Sequence, residues 1–257
     1  RERCRRADIP FRELDKRFLA GFHQYIARES PHKKNTAWVY MIAFKHILML
    51  ARSRDLLSAD LFAGYRLRSE FVARDYLTET EIRRLMLLAP TDRTQRLVLD
   101  AFLFSCFTGL SYIDIRQLKP ANIRYTQGQL WIGTTRRKTG SEVYVRLFAV
   151  PNAILSRYLT DAADEPIFAL PSNGWCNACL RRLLPEAGIV RPGTFHVARH
   201  TFATTITLSQ GVAIETISKL LGHRNIRTTQ IYAAVTHAKL EGDMERLSRQ
   251  LDACYRL

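Results

Sequence analysis

Two short runs near the C-terminal end of the chain hold the side chains best suited to chemistry. They read Phe195-His-Val-Ala-Arg-His-Thr-Phe-Ala-Thr204 and Leu221-Gly-His-Arg-Asn-Ile-Arg-Thr-Thr-Gln-Ile-Tyr232. Together they supply two imidazoles, a guanidinium and a phenol, from His196, His223, Arg199 and Tyr232. Phosphoryl transfer by a protein nucleophile requires these groups, because the phenol attacks phosphorus while cations stabilise the charge of the five-coordinate transition state.

His196 and Arg199 are predicted to project from one face of a helix, because they stand three residues apart. Phe202 and Ala203 continue that face and should be buried, which places the two polar side chains at the floor of a pocket. The N-terminus of such a helix offers backbone N–H groups and a favourable dipole to a phosphate. An arginine can donate to two phosphate oxygens at once. His200 is expected to point elsewhere, in a structural hydrogen bond.

The second run follows a predicted helix that ends at Gly222, so His223 should stand just outside the apolar face of that helix. Tyr232 lies nine residues after His223. A free tyrosine is a poor nucleophile because its pKa is about 10. Neighbouring arginine and histidine cations are expected to stabilise the Tyr232 phenolate and the phosphate together.

These two runs resemble the C-terminal signature of the tyrosine recombinase (phage integrase) family, in which the same spaced elements occur in the same order. The resemblance implies that Tyr232 is the nucleophile and that Arg199, His196 and His223 assist it. It also implies site-specific DNA recombination for a mobile element. One strand is cleaved through a 3′-phosphotyrosine that frees a 5′ hydroxyl, and a partner strand is then joined. That chemistry requires no cofactor, neither ATP nor a metal ion.

Lys138 stands in the run Arg136-Arg137-Lys138, in a segment where the family carries a lysine on a β-hairpin. The resemblance implies that Lys138 is the general acid that protonates the departing 5′ oxygen. Two alternatives stay open. Arg136 and Arg137 compete for the same alignment, and Lys138 could be one phosphate contact among many.

One departure from the family lies in the segment Thr108–Ser111. The residue after Thr-Gly-Leu is normally the first catalytic arginine of the family, whereas this chain has Ser111. Loss of a transition-state cation costs a few kcal/mol. Arg136 is therefore predicted to be the replacement cation, with Arg116 behind it, and Arg137 and Arg116 are expected to contact DNA. In this respect the chain is similar to integrases of Bacteroides-type mobile elements, a branch in which the arginine can be absent.

The charge of the chain favours a polyanionic partner. Lys and Arg number 39 against 24 Asp and Glu, which gives a net charge of +15. Up to Val72 there are 15 basic and 8 acidic residues, net +7, which leaves +8 for the rest. The positive charge is therefore spread over both parts of the chain, as expected of two domains that grip DNA. Basicity alone does not distinguish DNA from RNA, from an anionic membrane or from a charge that serves solubility.

Cysteine usage favours a reducing compartment. The five cysteines are scattered and odd in number, which suits a cytosol better than a disulfide framework. A bacterial cytoplasmic location near the nucleoid is expected. Cys176 and Cys179 form a lone CxxC without a second pair or a nearby His pair, so no metal site is predicted.

Periodicity predicts a mainly α fold with a small antiparallel sheet. Residues 1–68 are predicted to form a helical core-binding domain that binds DNA, 69–75 a linker, and 76–257 a mixed α/β catalytic domain that begins with a capping box at Thr78 and Glu81. In the first domain, a helix is expected to be capped at Asn35-Thr36 and a short helix to begin at Ser58. Three β-branched or aromatic stretches between turn signals predict the strands, at Ile123–Tyr125, Gln129–Thr134 and Val143–Leu147.

Double-stranded DNA is the expected partner, clamped between the two domains. The resemblance implies four protomers on two DNA sites during recombination, a monomer or weak oligomer without DNA, and accessory DNA-bending proteins, with no membrane partner. One rival is a type IB topoisomerase, which has the same chemistry but no partner strand. Another is a catalytically weakened DNA-binding regulator, for which Ser111 is the best argument.

Overall fold

The computed structural model describes residues 8–29, 34–70, 74–160, 162–232 and 237–255. The chain divides into two compact units, Arg1–Val72 and Ala73–Leu257. Each unit builds its own hydrophobic core. No helix in the described ranges combines the length and the apolar character that a bilayer crossing requires.

The first unit is built from helices. They are α1 (Lys16–Gln24) and α2 (Lys34–Ser53), with a π-helical segment at Tyr25–Glu29 after α1. Asp15 caps α1 by accepting a hydrogen bond from the Phe18 backbone N–H at 2.6 Å. The aromatic side chains of this unit pack against one another. Phe22 and Phe44, for example, meet edge to face with 5.1 Å between ring centroids.

Two local predictions for the first unit are wrong. Helix α2 already includes Asn35, and the Asn35 side chain instead exchanges two hydrogen bonds with the backbone of Glu70, at 2.9 and 2.8 Å. The chain after Ser58 turns without forming a helix. The reason is local, since Asp60 Oδ1 accepts from the Phe62 N–H at 3.0 Å and closes a side-chain turn.

The second unit is also mainly helical. Its α-helices are α3 (Glu79–Met86), α4 (Arg93–Thr108), α5 (Tyr112–Arg116), α6 (Ala149–Leu155), α7 (Asn173–Glu186), α8 (Phe195–Thr201), α9 (Ile214–Leu220), α10 (Arg227–Gln230) and α11 (His237–Cys254). A π-helical segment, Phe202–Thr207, continues α8. Such a segment often marks a functional site.

The predicted three-stranded antiparallel sheet is confirmed. Its strands, in the order β1-β2-β3, are β1 (Ile123–Thr126), β2 (Gln129–Thr135) and β3 (Glu142–Arg146). The first turn uses Gln127 and Gly128 with φ of 50° and 74°, which suits a tight hairpin. Ile132 pairs with Val145 and both are buried. This burial fixes the register of β2 and β3, and hence the position of the hairpin tip, residues 136–141.

Helix α4 runs through the core of the second unit and meets α8. Phe102 of α4 packs edge to face on Phe195, at the start of α8, with 5.9 Å between ring centroids. Helix α4 ends at Gly109, whose φ of 69° favours glycine. A Cβ at Gly109 would lie 2.5 Å from the Phe202 ring. The absence of a side chain therefore lets the end of α4 approach the helix that carries Arg199.

Two threonine side chains connect the beginning of the second unit to α8 and its π-helical continuation through hydrogen bonds. Thr201 Oγ1 accepts from the Leu77 N–H at 2.8 Å, and the Thr205 hydroxyl donates to the Leu77 carbonyl. The capping box predicted for Thr78 and Glu81 is present at the start of α3. Thr201 and Thr205 thus have a structural role beside the site.

Candidate active site

Tyr232 is buried at the edge of the second unit, with 8% of its surface exposed. Its ring packs with Phe202, Ile217 and Leu221 in a small apolar cluster. Its hydroxyl lies 2.7 Å from Nδ1 of His200. The phenol therefore has a fixed place in the fold and a fixed hydrogen-bond partner.

Arg199 lies at the centre of the site and is 6% exposed. Its Nη1 donates to the Gly109 carbonyl at 2.6 Å, and its Nη2 donates to the Leu221 carbonyl at 2.6 Å. Nη2 also lies 3.0 Å from Nε2 of His223. Burial and then the charge of Arg136 lower the pKa of Arg199 to about 9. The guanidinium is thus held in one orientation by the ends of α4 and α9.

His223 is held in one tautomer by its two neighbours. A guanidinium only donates hydrogen bonds, so Nε2 of His223 must accept from Arg199. The proton of the neutral ring then lies on Nδ1, which is 2.8 Å from Thr229 Oγ1. Thr229, which is fully buried, thereby orients the histidine through α10.

Arg136 enters the same site from the end of β2. It is 7% exposed, and its Nη1 lies 2.8 Å from Asp114 Oδ2 of α5. The angle at this contact is poor for a hydrogen bond, and Nη1 and Nε are both buried without a hydrogen-bond partner in the described chain. Asp114 also accepts from the hydroxyl and the N–H of Ser111 and from the N–H of Arg137. The Asp114 carboxylate, which bonds Ser111 at the family's arginine position, therefore orients Arg136.

The site carries more positive than negative charge. Arg199 and Arg136 are close enough for the charge of Arg136 to lower the pKa of Arg199, and Asp114 raises that pKa. Among the described residues, the ion pair of Arg136 is with Asp114, and no carboxylate pairs with Arg199. A buried charge without a partner is costly, so this arrangement favours an anion as the third component.

The hairpin tip lies against the loop that carries His223. Thr139 Oγ1 donates to the Gly222 carbonyl at 3.2 Å. Gly222 has φ of 63°, and a Cβ there would lie 2.7 Å from Cγ of Arg136. Lys138 and Arg137 are exposed on the same tip. Lys138 lies near His196, because its charge contributes to the lowered pKa of that imidazole.

An open cleft of about 410 Å³ gives access to Arg199. Its lining includes Ser111 and His196, and His196 is itself exposed. The helix N-terminus predicted beneath this pocket is the start of α8. Arg116 is exposed, and its charge opposes the burial that raises the pKa of Tyr112.

Three expectations about protonation and contact are wrong. His200 does not point away from the site, because its Nδ1 bonds Tyr232. His196 and His223 are not cations at neutral pH, because burial and then nearby arginines lower the pKa of His223 to about 4 and also lower the pKa of His196. Burial lowers the pKa of His200 to about 3. The pKa of Tyr232 is raised by burial, and the opposing charges of Arg199 and Arg74 do not overcome this.

Sequence reasoning missed two residues that shape the site. Asp114 stands three residues after Ser111, a capping-box spacing that signals its hydrogen bonds. Arg74, expected to lie in a linker, acts on His196 and on Tyr232. Its place depends on tertiary structure, and no local pattern marks it. The described residues hold no group of three or more His, Cys, Asp or Glu side chains placed to hold a metal ion.

The two-unit fold is that of the tyrosine recombinases. The phage integrase family matches residues 75–239, and the phage integrase SAM-like domain matches residues 2–67. This chain therefore belongs to the phage integrase family. The family predicted from the two C-terminal sequence runs is confirmed.

Two curated relatives of this chain agree with this assignment. Tyrosine recombinase XerA of Pyrococcus furiosus is 31% identical over 186 residues, 66% of this chain and 60% of that protein. Tyrosine recombinase XerD of Listeria monocytogenes is 44% identical over 149 residues, 52% of this chain and 48% of that protein. The chain thus spans 60% and 48% of the lengths of these two curated relatives.

Solved structures share the fold at low sequence identity. The Tn1549 transposon integrase in complex with a circular intermediate DNA has a TM-score of 0.71 and 18% identity, and the match covers 96% of this chain and 89% of that one. The lambda integrase dimer bound to a COC′ core site has a TM-score of 0.69 and 17% identity, with coverage of 90% and 83%.

Proposed function

We propose that this chain is a site-specific recombinase that cleaves and rejoins double-stranded DNA for a mobile element. The observation that carries the proposal is a pair of buried guanidinium groups, Arg199 and Arg136, of which only Arg136 pairs with a carboxylate among the described residues. The charge of Arg199 acts on the Tyr232 phenol. A DNA phosphate would supply the missing negative charge. The similar solved structures named above hold DNA, and a transposon integrase is one of them.

In the proposed cleavage step, the Tyr232 hydroxyl gives up its proton to solvent as its oxygen forms a bond to phosphorus. The bond to the 5′ oxygen breaks, and that oxygen takes a proton from Lys138. Arg199 and Arg136 stabilise the charge on the nonbridging oxygens. The product is a 3′-phosphotyrosine with a free 5′ hydroxyl. Because the covalent bond keeps the phosphodiester energy, a partner 5′ hydroxyl can reverse the step without ATP or metal.

Lys138 is the proposed general acid. It stands on an exposed hairpin tip, and its charge acts on His196 at the cleft, which supports its access to the 5′ oxygen from the open side. The neutral His223 donates no positive charge here. Its role is to hold Arg199 through Nε2, and His196 is free to contact the phosphate at the cleft.

The first unit is the proposed second half of a DNA clamp. Its net charge of +7 nearly equals the +8 of the remaining chain, and it matches the phage integrase SAM-like domain. Both units would contact phosphates, with Arg137 and Arg116 among the contacts of the second. Recombination would use four protomers on two duplexes, with a monomer or weak oligomer before DNA binding, and accessory DNA-bending proteins where the sites require them.

The experiment is capture of the covalent intermediate on nicked suicide duplexes, drawn as a library from the DNA that flanks the gene. A nick next to the cleavage site releases a short 5′ fragment, which prevents religation. We expect a protein–DNA adduct on a denaturing gel, formed equally well with EDTA present. Tyr232→Phe should bind the same duplexes and form no adduct, because only one oxygen is removed.

A matched control is Tyr144→Phe, at an exposed tyrosine on β3 outside the site. It should form the adduct at the rate of the unaltered protein. An adduct that persists in Tyr232→Phe would contradict the nucleophile. DNA binding without any adduct in the unaltered protein would favour a DNA-binding regulator, and relaxation of supercoils without strand exchange would favour a topoisomerase.

A further inference from the structure

The Tyr232 hydroxyl makes a hydrogen bond with the side chain of His200. The two rings lie 5.2 Å apart between centroids, and the oxygen is 2.7 Å from Nδ1. Both side chains are buried, at 4% and 8% exposure. Water therefore competes little for this hydrogen bond, which holds the phenolic oxygen in place.

The other nitrogen of the same ring shows where its proton lies. Nε2 of His200 is buried and has no hydrogen-bond partner among the residues that the structure describes. Burial and the surrounding cations keep the ring neutral, so it carries one proton. A buried donor left without an acceptor is rarer in proteins than a buried acceptor left unpaired. The proton is thus better placed on Nδ1 than on Nε2.

We propose that His200 is a positioning residue for the nucleophile, with its Nδ1–H donating to the Tyr232 oxygen. This inference rests on the proposed function, because it takes Tyr232 as the attacking group. The Nδ1–H of His200 keeps the oxygen in place while the Tyr232 hydroxyl loses its proton. The same N–H stabilises the negative charge that the oxygen carries as it attacks. In religation the same oxygen departs from phosphorus as a phenolate, and the same hydrogen bond stabilises it.

The other groups around this pair do not replace that contact. His196 packs its ring against His200 at 4.6 Å, while the charges of Arg74 and Arg199 act on the same imidazole. The charges of Arg199 and Arg74 also oppose the burial that raises the pKa of Tyr232. The charges of Arg199 and Arg74 favour a phenolate but do not fix the position of its oxygen. Arg199 donates its hydrogen bonds to other groups, and the charge of Arg74 acts at longer range.

The tautomer can be measured directly on the whole chain without DNA. Nitrogen-15 NMR of histidine-labelled protein should show a protonated Nδ1 and an unprotonated Nε2 for His200, identified by its loss in His200→Asn. Protonation of Nε2 would overturn the proposal, since Nδ1 would then be the acceptor. This measurement requires no variant to fold other than the one that assigns the signal.

The effect on the phenol provides a second readout. With tyrosine labelled at Cζ, the signal of Tyr232 is assigned by its absence in Tyr232→Phe and is titrated with base. His200→Leu should raise the pKa of Tyr232 above that of the unaltered protein, because a donor to the phenolate is lost. His200→Asn should return it towards that value, because the amide N–H can donate. An unchanged or lower pKa in His200→Leu would overturn the proposal.

The rate of cleavage separates this inference from the function itself. On a suicide duplex with protein in excess, His200→Leu should cleave roughly 10²-fold more slowly at unchanged DNA affinity, and His200→Asn should recover most of the rate. If His200→Leu does not fold, His200→Phe takes its place because it keeps the ring. Cleavage by His200→Leu or by His200→Phe at the unaltered rate would contradict the positioning role alone. Absence of any adduct in the unaltered protein would instead contradict the proposed function.

Discussion

Arg136 is the proposed replacement for the arginine that this site lacks at position 111. Ser111 leaves the usual arginine position without a cation, yet Asp114, three residues later, still accepts from the Ser111 backbone and side chain. The same carboxylate pairs with Arg136 at 2.8 Å. A guanidinium from β2 thus reaches the carboxylate at the start of α5, where an arginine at position 111 would otherwise stand.

Arg136→Ala is expected to slow single-turnover cleavage by roughly 10²–10³-fold, the cost of one transition-state donor. DNA affinity should change little, because many other basic residues contact phosphates. Arg137→Ala is the matched control, since Arg137 is its exposed neighbour and uses only its backbone N–H in the site. Equal rates in the two variants would show that Arg136 is an ordinary phosphate contact. Ser111→Ala should slow cleavage much less than Arg136→Ala.

The lowered pKa of His223 predicts how the free energy of unfolding depends on pH. His223 has a pKa of about 4 in the folded chain, below its ordinary value of 6.5. As pH falls, the unfolded chain takes up this proton first. The free energy of unfolding should therefore fall as the pH drops from 6.5 towards 4. Urea denaturation at pH 7 and pH 5 measures it, and His223→Asn should lose less stability over this interval than the unaltered protein. An equal loss would contradict a neutral His223.

At the scale of elements, the site is assembled by the ends of helices and by one hairpin. Helix α8 supplies Arg199, the end of α4 accepts from it, and the loop after α9 supplies His223. These contacts require tight approaches at Gly109 and Gly222, where a Cβ would collide with Phe202 or with Arg136. The hairpin tip is fixed in turn by the register of a half-buried sheet.

Much of this could be predicted from the sequence, because strong local signals exist. The capping box at Thr78, the glycine that ends α4 and the turn residues between strands mark their elements by residue type alone. The partner of Tyr232 could not be predicted, since His200 precedes it by 32 residues and meets it only through tertiary packing. The neutral state of the histidines depends on burial, which sequence spacing does not reveal.

Thr201 tests how the beginning of the second unit supports α8. Its hydroxyl accepts from the Leu77 N–H and donates to the Val197 carbonyl, both at 2.8 Å. Thr201→Val keeps the shape and leaves a buried N–H without a partner, so the free energy of unfolding should fall by about 1–3 kcal/mol. Thr201→Ser keeps the hydroxyl and should cost less. Chemical denaturation measures both, and a larger loss in the serine variant would contradict the assignment.

At the scale of the whole molecule, the even distribution of charge is the main feature. With +7 before Ala73 and +8 after Val72, neither unit alone accounts for the affinity expected of the whole chain. Each phosphate neutralised on binding releases counterions. The dependence of affinity on salt therefore reports how many phosphates both units contact.

DNA affinity is expected to fall roughly 10³-fold or more between about 50 and 200 mM salt, as for six or more phosphate contacts. Each unit alone, separated within residues 66–74, should show a shallower salt dependence and much weaker binding. Fluorescence anisotropy with a labelled duplex measures this. A dependence as steep for one unit as for the whole chain would contradict binding by both.

The central claim is that Tyr232 becomes covalently joined to a DNA 3′ phosphate. The most direct measurement is mass spectrometry of the adduct from a suicide duplex after digestion with protease and nuclease. We expect one modified peptide, with a nucleotide 3′ phosphate on Tyr232, and a released DNA fragment with a free 5′ hydroxyl. A phosphate on another residue, or a 5′ phosphate on the released fragment, would contradict the account.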